Sequence, residues 1–385
     1  MSGPLLLKGF EVEMYTGWPD GTVVGCAAEA ARSLPGFVTE PDNRNLEYTT
    51  VPEANYGRQL QLLLEPRSQL RQWLQPRGLT ILPGSTLSLG DTGQFVRSDP
   101  SNDYHAIIER TYGTRVVTAS VHINLGLDNT HQIFTALRLL RCEGALLLAL
   151  SCSSPFLDGV VTGAQSQRWL QFPLTPPQVP LFESHAHYVE WMGEQLAAGA
   201  MHNVRHLWTS VRPNGDHRPH DLNRVEIRIC DLISDASVLC AITAWAELRV
   251  LQLLQDEDRL DPLRASRFTA PELALLADAN DRAVARDGLD ALLRHWRDGR
   301  PIRARDWIET ELVAMAPLAA DLQLDSVLAP LTAVLRDGNE ASRWLARQRQ
   351  GESIRAIISS EARAMETRDI AQLASVATDR TPLLG

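Results

Sequence analysis

The chain has 385 residues, of which 44% are hydrophobic and 22% charged, with a formal net charge of −10 at neutral pH. That length allows one large domain or a core with an appended part, and the acidic balance argues against electrostatic binding to nucleic acid or to an anionic membrane. All but one of the 37 basic residues are arginine, so P-loop or Schiff-base lysine chemistry has only Lys8 as a candidate, and a phosphate or carboxylate ligand would be gripped by arginine forks.

The N-terminal "MSGPLLLKGF" lacks the long apolar core of a secretory signal. Five cysteines, Cys26, Cys142, Cys152, Cys230 and Cys240, show no CxxC spacing. An odd number without that pattern predicts neither a disulfide framework nor structural zinc, and a reducing cytoplasm. The longest apolar run, "GALLLAL", is too short to span a membrane. The extreme ends, "MSGP" and "TDRTPLLG", read as frayed.

The first predicted strand is "KGFEVEMY". In extended chain, alternate side chains share a face, so Phe10, Val12 and Met14 point one way and Glu11 and Glu13 the other. Like charges on one sheet face repel unless water or a cation separates them. "RNLEYTT" repeats the pattern, with Leu46 and Tyr48 opposite Glu47 and Thr49. Ahead of it, Glu40 and Asp42 flank Pro41, and Asp42 and Asn43 read as turn formers. "SVHINLG" sets Val121, Ile123 and Leu125 against Ser120, His122 and Asn124. An apolar helix around "GALLLAL" then opens into a loop rich in Ser, Thr and Gly, where Thr162 and Arg168 suit a polar ligand. His185 and His187 read as turn or helix-cap residues. Arg212 shares strand phase with Ser210 and is a candidate carboxylate or phosphate clamp. "NRVEIRIC" sets Val225, Ile227 and Ile229 against Arg224, Glu226 and Arg228.

From "SVLCAITAWAELRVLQLL" onward the apolar spacing is helical, and "DRAVARDGLDALLRHWRDG" reads as an amphipathic helix pair. Strands first and helices after predict an α+β fold, with an antiparallel sheet and helices packed on one of its faces. The expected division is a catalytic core over residues 1–235 and a helical C-terminal part over 236–385. The polar strand faces offer Glu11, Glu13, Glu47, His122 and Glu226. An oxygen-rich set with one imidazole suits Mg²⁺ or Mn²⁺, and Mg²⁺ on carboxylates points toward nucleotide phosphates. Solvated surface is the competing reading for any one of these strands. No GxxxxGK[ST], GxGxxG, HExxH or GxSxG motif occurs.

Together, "GFEVEMY", "EPDNRNLEYTT", "TASVHINLG", "LALSCSSPFLDG…TG…SQRW" and "SVRPNGD…DLNRVEIRICD" resemble, in order, the second family of glutamate–cysteine ligases, of the cyanobacterial type. The resemblance implies a catalytic core like that of glutamine synthetase, divalent cations, and ATP as co-substrate. It also implies L-glutamate and L-cysteine as substrates, joined through a γ-glutamyl phosphate in the first step of glutathione synthesis. Carried over by position, Glu11, Glu13, Glu47, His122 and Glu226 resemble metal ligands. Arg228 resembles the phosphate contact, which makes Glu226 and Arg228 the catalytic pair. Asn124 and Arg168 resemble substrate or nucleotide contacts. The competing expectations are a related ligase with another amine acceptor and a non-catalytic nucleotide or amino-acid sensor. Oligomeric state is left open, a homodimer included.

Overall fold

The computed structural model describes residues 4–378, so the predicted fraying of the two ends falls almost wholly outside the described residues. Its frame is an antiparallel sheet in the order β2-β3-β1-β5-β9-β8, with β4 beside the far end of β1. The strands are β1 (Lys8–Gly17), β2 (Phe37–Thr39), β3 (Asn45–Thr49), β4 (Thr80–Leu82) and β5 (Val121–Gly126). A two-residue hairpin, β6 (Phe156–Leu157) and β7 (Val160–Val161), stands apart, and β8 (Val211–Asn214) and β9 (Arg224–Ile227) complete the sheet. Between strands lie α1 (Ala27–Ser33), α2 (Tyr56–Leu74), α3 (Asp103–Tyr112), α4 (Thr130–Ser151), α5 (Gln167–Gln171) and α6 (His185–Ala197).

The predicted alternation holds on each long strand. Phe10, Val12, Met14, Leu46, Tyr48, Val121, Ile123, Leu125, Val225 and Ile227 are all buried in one hydrophobic cluster. Helix α4 covers β8 and β9 on that face. Asn129 caps it, its side chain accepting from the Gln132 N–H at 3.0 Å. Being enclosed by sheet and helices, α4 has no polar stripe, and every residue from Ile133 to Ser151 is buried.

The chain continues through α7 (Ala236–Gln255), α8 (Glu257–Leu260), α9 (Pro262–Ala265) and α10 (Ala270–Asp287). A hairpin follows, β10 (Leu292–Arg294) with β11 (Pro301–Arg303), and then α11 (Ala304–Asp321), α12 (Asp325–Asp337), α13 (Glu340–Arg349) and α14 (Ile354–Thr378). Helix α7 packs on α4, α2 and α12. By length and composition α7 could cross a membrane, but 78% of its apolar window is buried within the fold.

The hairpin corrects the expected helix pair. Gly288 ends α10 with φ +59°, and Gly299 turns the hairpin with φ +73°. Both lie in the left-handed region that glycine enters without a Cβ penalty.

Candidate metal and phosphoryl-transfer face

Strand register builds the site. Glu13 lies opposite Glu47 and Glu11 opposite His122. Asn124 and Arg212 both lie opposite Glu226, which sits between them on β9. The one polar face of the sheet therefore gathers Glu11, Glu13, Glu47, His122, Asn124, Arg212 and Glu226 across five adjacent strands.

Two groups of potential ligand atoms result, each within 4.8 Å of one another: Glu11 with His122 and Glu226, and Glu13 with Glu40 and Glu47. In the first, His122 Nδ1 is 2.9 Å from Glu11 and 3.5 Å from Glu226. Its Nε2 lies 3.1 Å from Ser120 Oγ, which donates to Glu13 at 2.8 Å and so ties the two groups together. Asn124 donates to Glu11 at 3.3 Å and accepts from Arg224 at 3.2 Å.

Charge balance separates the groups. Burial pushes the Glu226 carboxyl up, but Arg212, Arg228 and His122 outweigh it and hold the group well below the usual range. Arg212 donates to both Glu226 oxygens at 2.7 and 3.1 Å, Asn214 adds one bond at 2.7 Å, and Arg228 another at 2.6 Å. Burial also lowers Arg212, to about 10. Glu11 is held below its ordinary value against burial, mainly by its hydrogen bond with His122.

In the second group the nearby positive groups, His122 and Arg168 for Glu13 and Arg228 and Arg205 for Glu40, are outweighed. Burial and mutual repulsion push Glu13 up, burial does the same for Glu40, and Glu47 rises furthest, through burial first and then repulsion from Glu40, Glu13 and Glu11. At an effective dielectric of about 20, two carboxylates this close repel by roughly 3 kcal/mol. That is a sizeable part of a typical domain's stability, about 5–15 kcal/mol. Three carboxylates within reach of one another, one buried and two half-buried, with no guanidinium among them, are a donor set that fits a hard divalent cation. The first group, with one imidazole and two carboxylates, fits one as well.

Two cavities border the face. One of about 890 Å³ is lined by Glu11, Thr49, Asn124 and Arg224, with Leu251, Leu254 and Gln255 of α7 forming one wall. The other, of about 310 Å³, is lined by Glu13, Glu40, His122, Arg168, Arg205 and Arg228, with Tyr104, Phe172 and Trp208 on its walls. The ligand groups thus lie between two openings.

Three residues singled out in the sequence do not present free groups to this face. Thr162 stays in its loop, donating to the Pro155 carbonyl at 3.1 Å and accepting from the Ala164 N–H at 3.2 Å. Arg212 is spent on Glu226 and on the Arg205 and Leu207 carbonyls. Arg168 borders the smaller cavity, but its guanidinium donates to the carbonyls of Arg228 and Ile229 at 2.9 and 3.0 Å. The serines of its loop gather round Asp231. His185 and His187 open α6 beneath the Ser184 cap.

Glu40 is the acidic residue the strand pattern left unplaced. It follows β2 two residues after Val38, which pairs with Glu47, and so falls on the same face. Asp42 turns away as the turn reading requires, accepting from Arg44 Nε and Nη2, both at 2.8 Å.

Comparisons with known proteins find relatives in both sequence and fold. A protein of Leifsonia xyli subsp. xyli, carrying the provisional name glutamate–cysteine ligase 2, is 28% identical over 319 residues, covering 81% of this chain and 80% of its own. The crystal structure of glutamate–cysteine ligase from Francisella tularensis in complex with AMP superposes with a TM-score of 0.72 at 14% identity, over 98% of this chain and 92% of that one. The bifunctional glutathione synthetase of Pasteurella multocida gives a TM-score of 0.71 at 16% identity. This chain matches over 97% of its length and spans about half, 54%, of that larger protein. At these identities the two structures establish a shared fold. The family model described as glutamate–cysteine ligase family 2 matches residues 7–360. The chain belongs to glutamate–cysteine ligase family 2, a family of ligase enzymes.

Proposed function

We propose that this protein joins the γ-carboxylate of L-glutamate to the amine of L-cysteine at the expense of ATP. The products would be γ-glutamylcysteine, ADP and phosphate, in the first step of glutathione synthesis. The observation that carries the reading is the pair of ligand groups on one sheet face, flanked by Arg228 and bordered by two cavities. Family membership supports the reaction class.

Glu11, His122 and Glu226 would hold one Mg²⁺ or Mn²⁺, and Glu13, Glu40 and Glu47 a second. Cations held there supply charge neutralisation for the phosphate oxygens. The larger cavity would take the nucleotide, and the smaller one, nearer Arg228 and Glu13, the amino acids. Both are of the size usual for small-ligand sites. In the first step a γ-carboxylate oxygen of glutamate attacks the γ-phosphorus, and the bond from phosphorus to the ADP oxygen breaks. In the second the amine nitrogen attacks the acyl carbon, and phosphate leaves with the former carboxylate oxygen as the amine sheds a proton.

Arg228 would meet the charge on the transferred phosphoryl group, and Glu226 orients that guanidinium through its 2.6 Å bond. No enzyme nucleophile is needed. The five cysteines are all buried. Burial pushes the thiols of Cys142, Cys152, Cys230 and Cys240 up, which suits structural rather than catalytic roles. We assign catalysis to residues 1–235 and scaffolding to 236–385, with α7 also forming a wall of the larger cavity. A cytoplasmic setting suits this chemistry.

The test is phosphate release from ATP and Mg²⁺ with L-glutamate, with and without L-cysteine, followed by mass spectrometry of the product. Cysteine-dependent release with γ-glutamylcysteine is expected. Release with a different amine would move the assignment to another acceptor within the same chemistry. No release with any amine would favour a sensor and overturn the reading.

A further inference from the structure

Strand β9 ends at Ile227, one residue before the arginine assigned to the phosphate. The Arg228 N–H still donates to the Ser210 carbonyl at 2.8 Å, but the carbonyls of Arg228 and Ile229 are held by side chain. Both accept from the single guanidinium of Arg168, at 2.9 and 3.0 Å. Arg168 is itself fixed from behind. Its backbone N–H donates to Ser154 Oγ at 3.1 Å, and its guanidinium lies 3.8 Å from Asp231.

Asp231 is fully buried and collects the loop, accepting from the Ser153 N–H at 2.9 Å, Ser154 Oγ at 2.7 Å and Ser166 Oγ at 2.8 Å. Desolvating a carboxylate and a guanidinium together is expensive, and such a pair is poor evidence for stability alone. The polar loop composition that looks suited to a ligand in the sequence is used here on an internal anion.

We infer that Asp231, Ser154, Ser166 and Arg168 form a positioning device that fixes the backbone of Arg228 and thereby aims its guanidinium at the transferred phosphoryl group. The inference rests on the phosphate role given to Arg228 above. Displacement of such a group by about 1 Å costs on the order of a hundredfold in rate, so the device acts on turnover rather than on substrate affinity.

A double-mutant cycle tests it under single-turnover conditions. Arg168→Gln should lower the rate between tenfold and a hundredfold with KM for ATP and glutamate within about threefold of wild type. In an Arg228→Ala background the same change should cost less than threefold, because no guanidinium is left to aim. Arg168 Nε is buried without a partner and the residue borders the smaller cavity, so direct substrate contact is the rival role. That role, or a general loss of packing, would make the penalty equal in both backgrounds and overturn the inference. If Arg168→Gln fails to fold, Ser166→Ala carries the same cycle, with a smaller drop expected in the wild-type background only. Full activity of Arg228→Ala alone would instead overturn the phosphate assignment, and with it the aiming role that rests on it.

Discussion

Glu13 and Glu226 share one sheet face and are both buried, yet their surroundings oppose each other. Glu226 is met by Arg212, Arg228 and Asn214, whereas Glu13 meets Glu40 and Glu47. The two isosteric amides should therefore split. Without divalent cations, Glu13→Gln should stabilise the fold by on the order of 1–3 kcal/mol by removing like-charge repulsion. Glu226→Gln should cost about 3–5 kcal/mol by leaving Arg212 buried and uncompensated. Chemical denaturation of both variants in chelator measures this, and matching shifts would contradict the charge partition. Both should lose turnover. Alternation within each strand was enough to put Glu11, Glu13, Glu47, His122 and Glu226 on polar faces. It could not show that Glu226 is saturated by arginines, since Arg212 reaches it only through the β8–β9 register. Glu40 escaped assignment because it lies past the end of a three-residue strand, where a period of two has too few residues to be read.

At the level of elements, β1 is anchored by the residue that made the composition unusual. Lys8 is fully buried, 2.8 Å from Glu247 of α7 and 2.8 Å from the Ala54 carbonyl, with the Tyr56 hydroxyl donating to the same Glu247 at 2.6 Å. Its ammonium lies 4.0 Å from the centre of the Tyr56 ring. This network joins the start of the strand that carries Glu11 and Glu13 to a helix from the far half of the chain. Lys8→Met should cost about 3–5 kcal/mol, because it strands the Glu247 carboxylate. Lys8→Met with Glu247→Leu should recover most of that, as paired apolar replacements often do. Urea titration of the single and double variants checks it, and a double variant no better than the single one would contradict the account. The ion pair was invisible beforehand because its partners are 239 residues apart. The β10–β11 hairpin was missed for a different reason. Its strands are three residues long, short enough for the flanking helical spacing to absorb them.

Over the whole molecule, the order of strands before helices was enough to specify an antiparallel sheet backed by helices, and the sheet's two faces follow from alternation alone. The packing between α10 and α4 was not legible, and it buries one carboxyl without evident use. Asp281 is buried with Oδ1 unpartnered. Burial, reinforced by Asp278 and opposed by Arg141 and Arg282, raises it well above the usual aspartate range. A carboxyl raised on folding favours the folded state fully below the ordinary aspartate value, about 4, and loses that contribution as pH rises through the folded-state value. Asp281→Asn should therefore stabilise the protein at pH 8, by about 1–3 kcal/mol, and have little effect near pH 4. Thermal unfolding at both pH values measures it, and a pH-independent shift would contradict the assignment.

In the proposed reaction this sheet face transfers a phosphoryl group to the γ-carboxylate of glutamate before the amine attacks. The most direct measurement uses L-glutamate labelled with oxygen-18 in its γ-carboxylate, with ATP, Mg²⁺ and L-cysteine, and reads the isotope content of the released phosphate. An acyl phosphate leaves one glutamate oxygen on every phosphate, so one label per phosphate is predicted. Unlabelled phosphate formed alongside γ-glutamylcysteine would rule out the acyl phosphate.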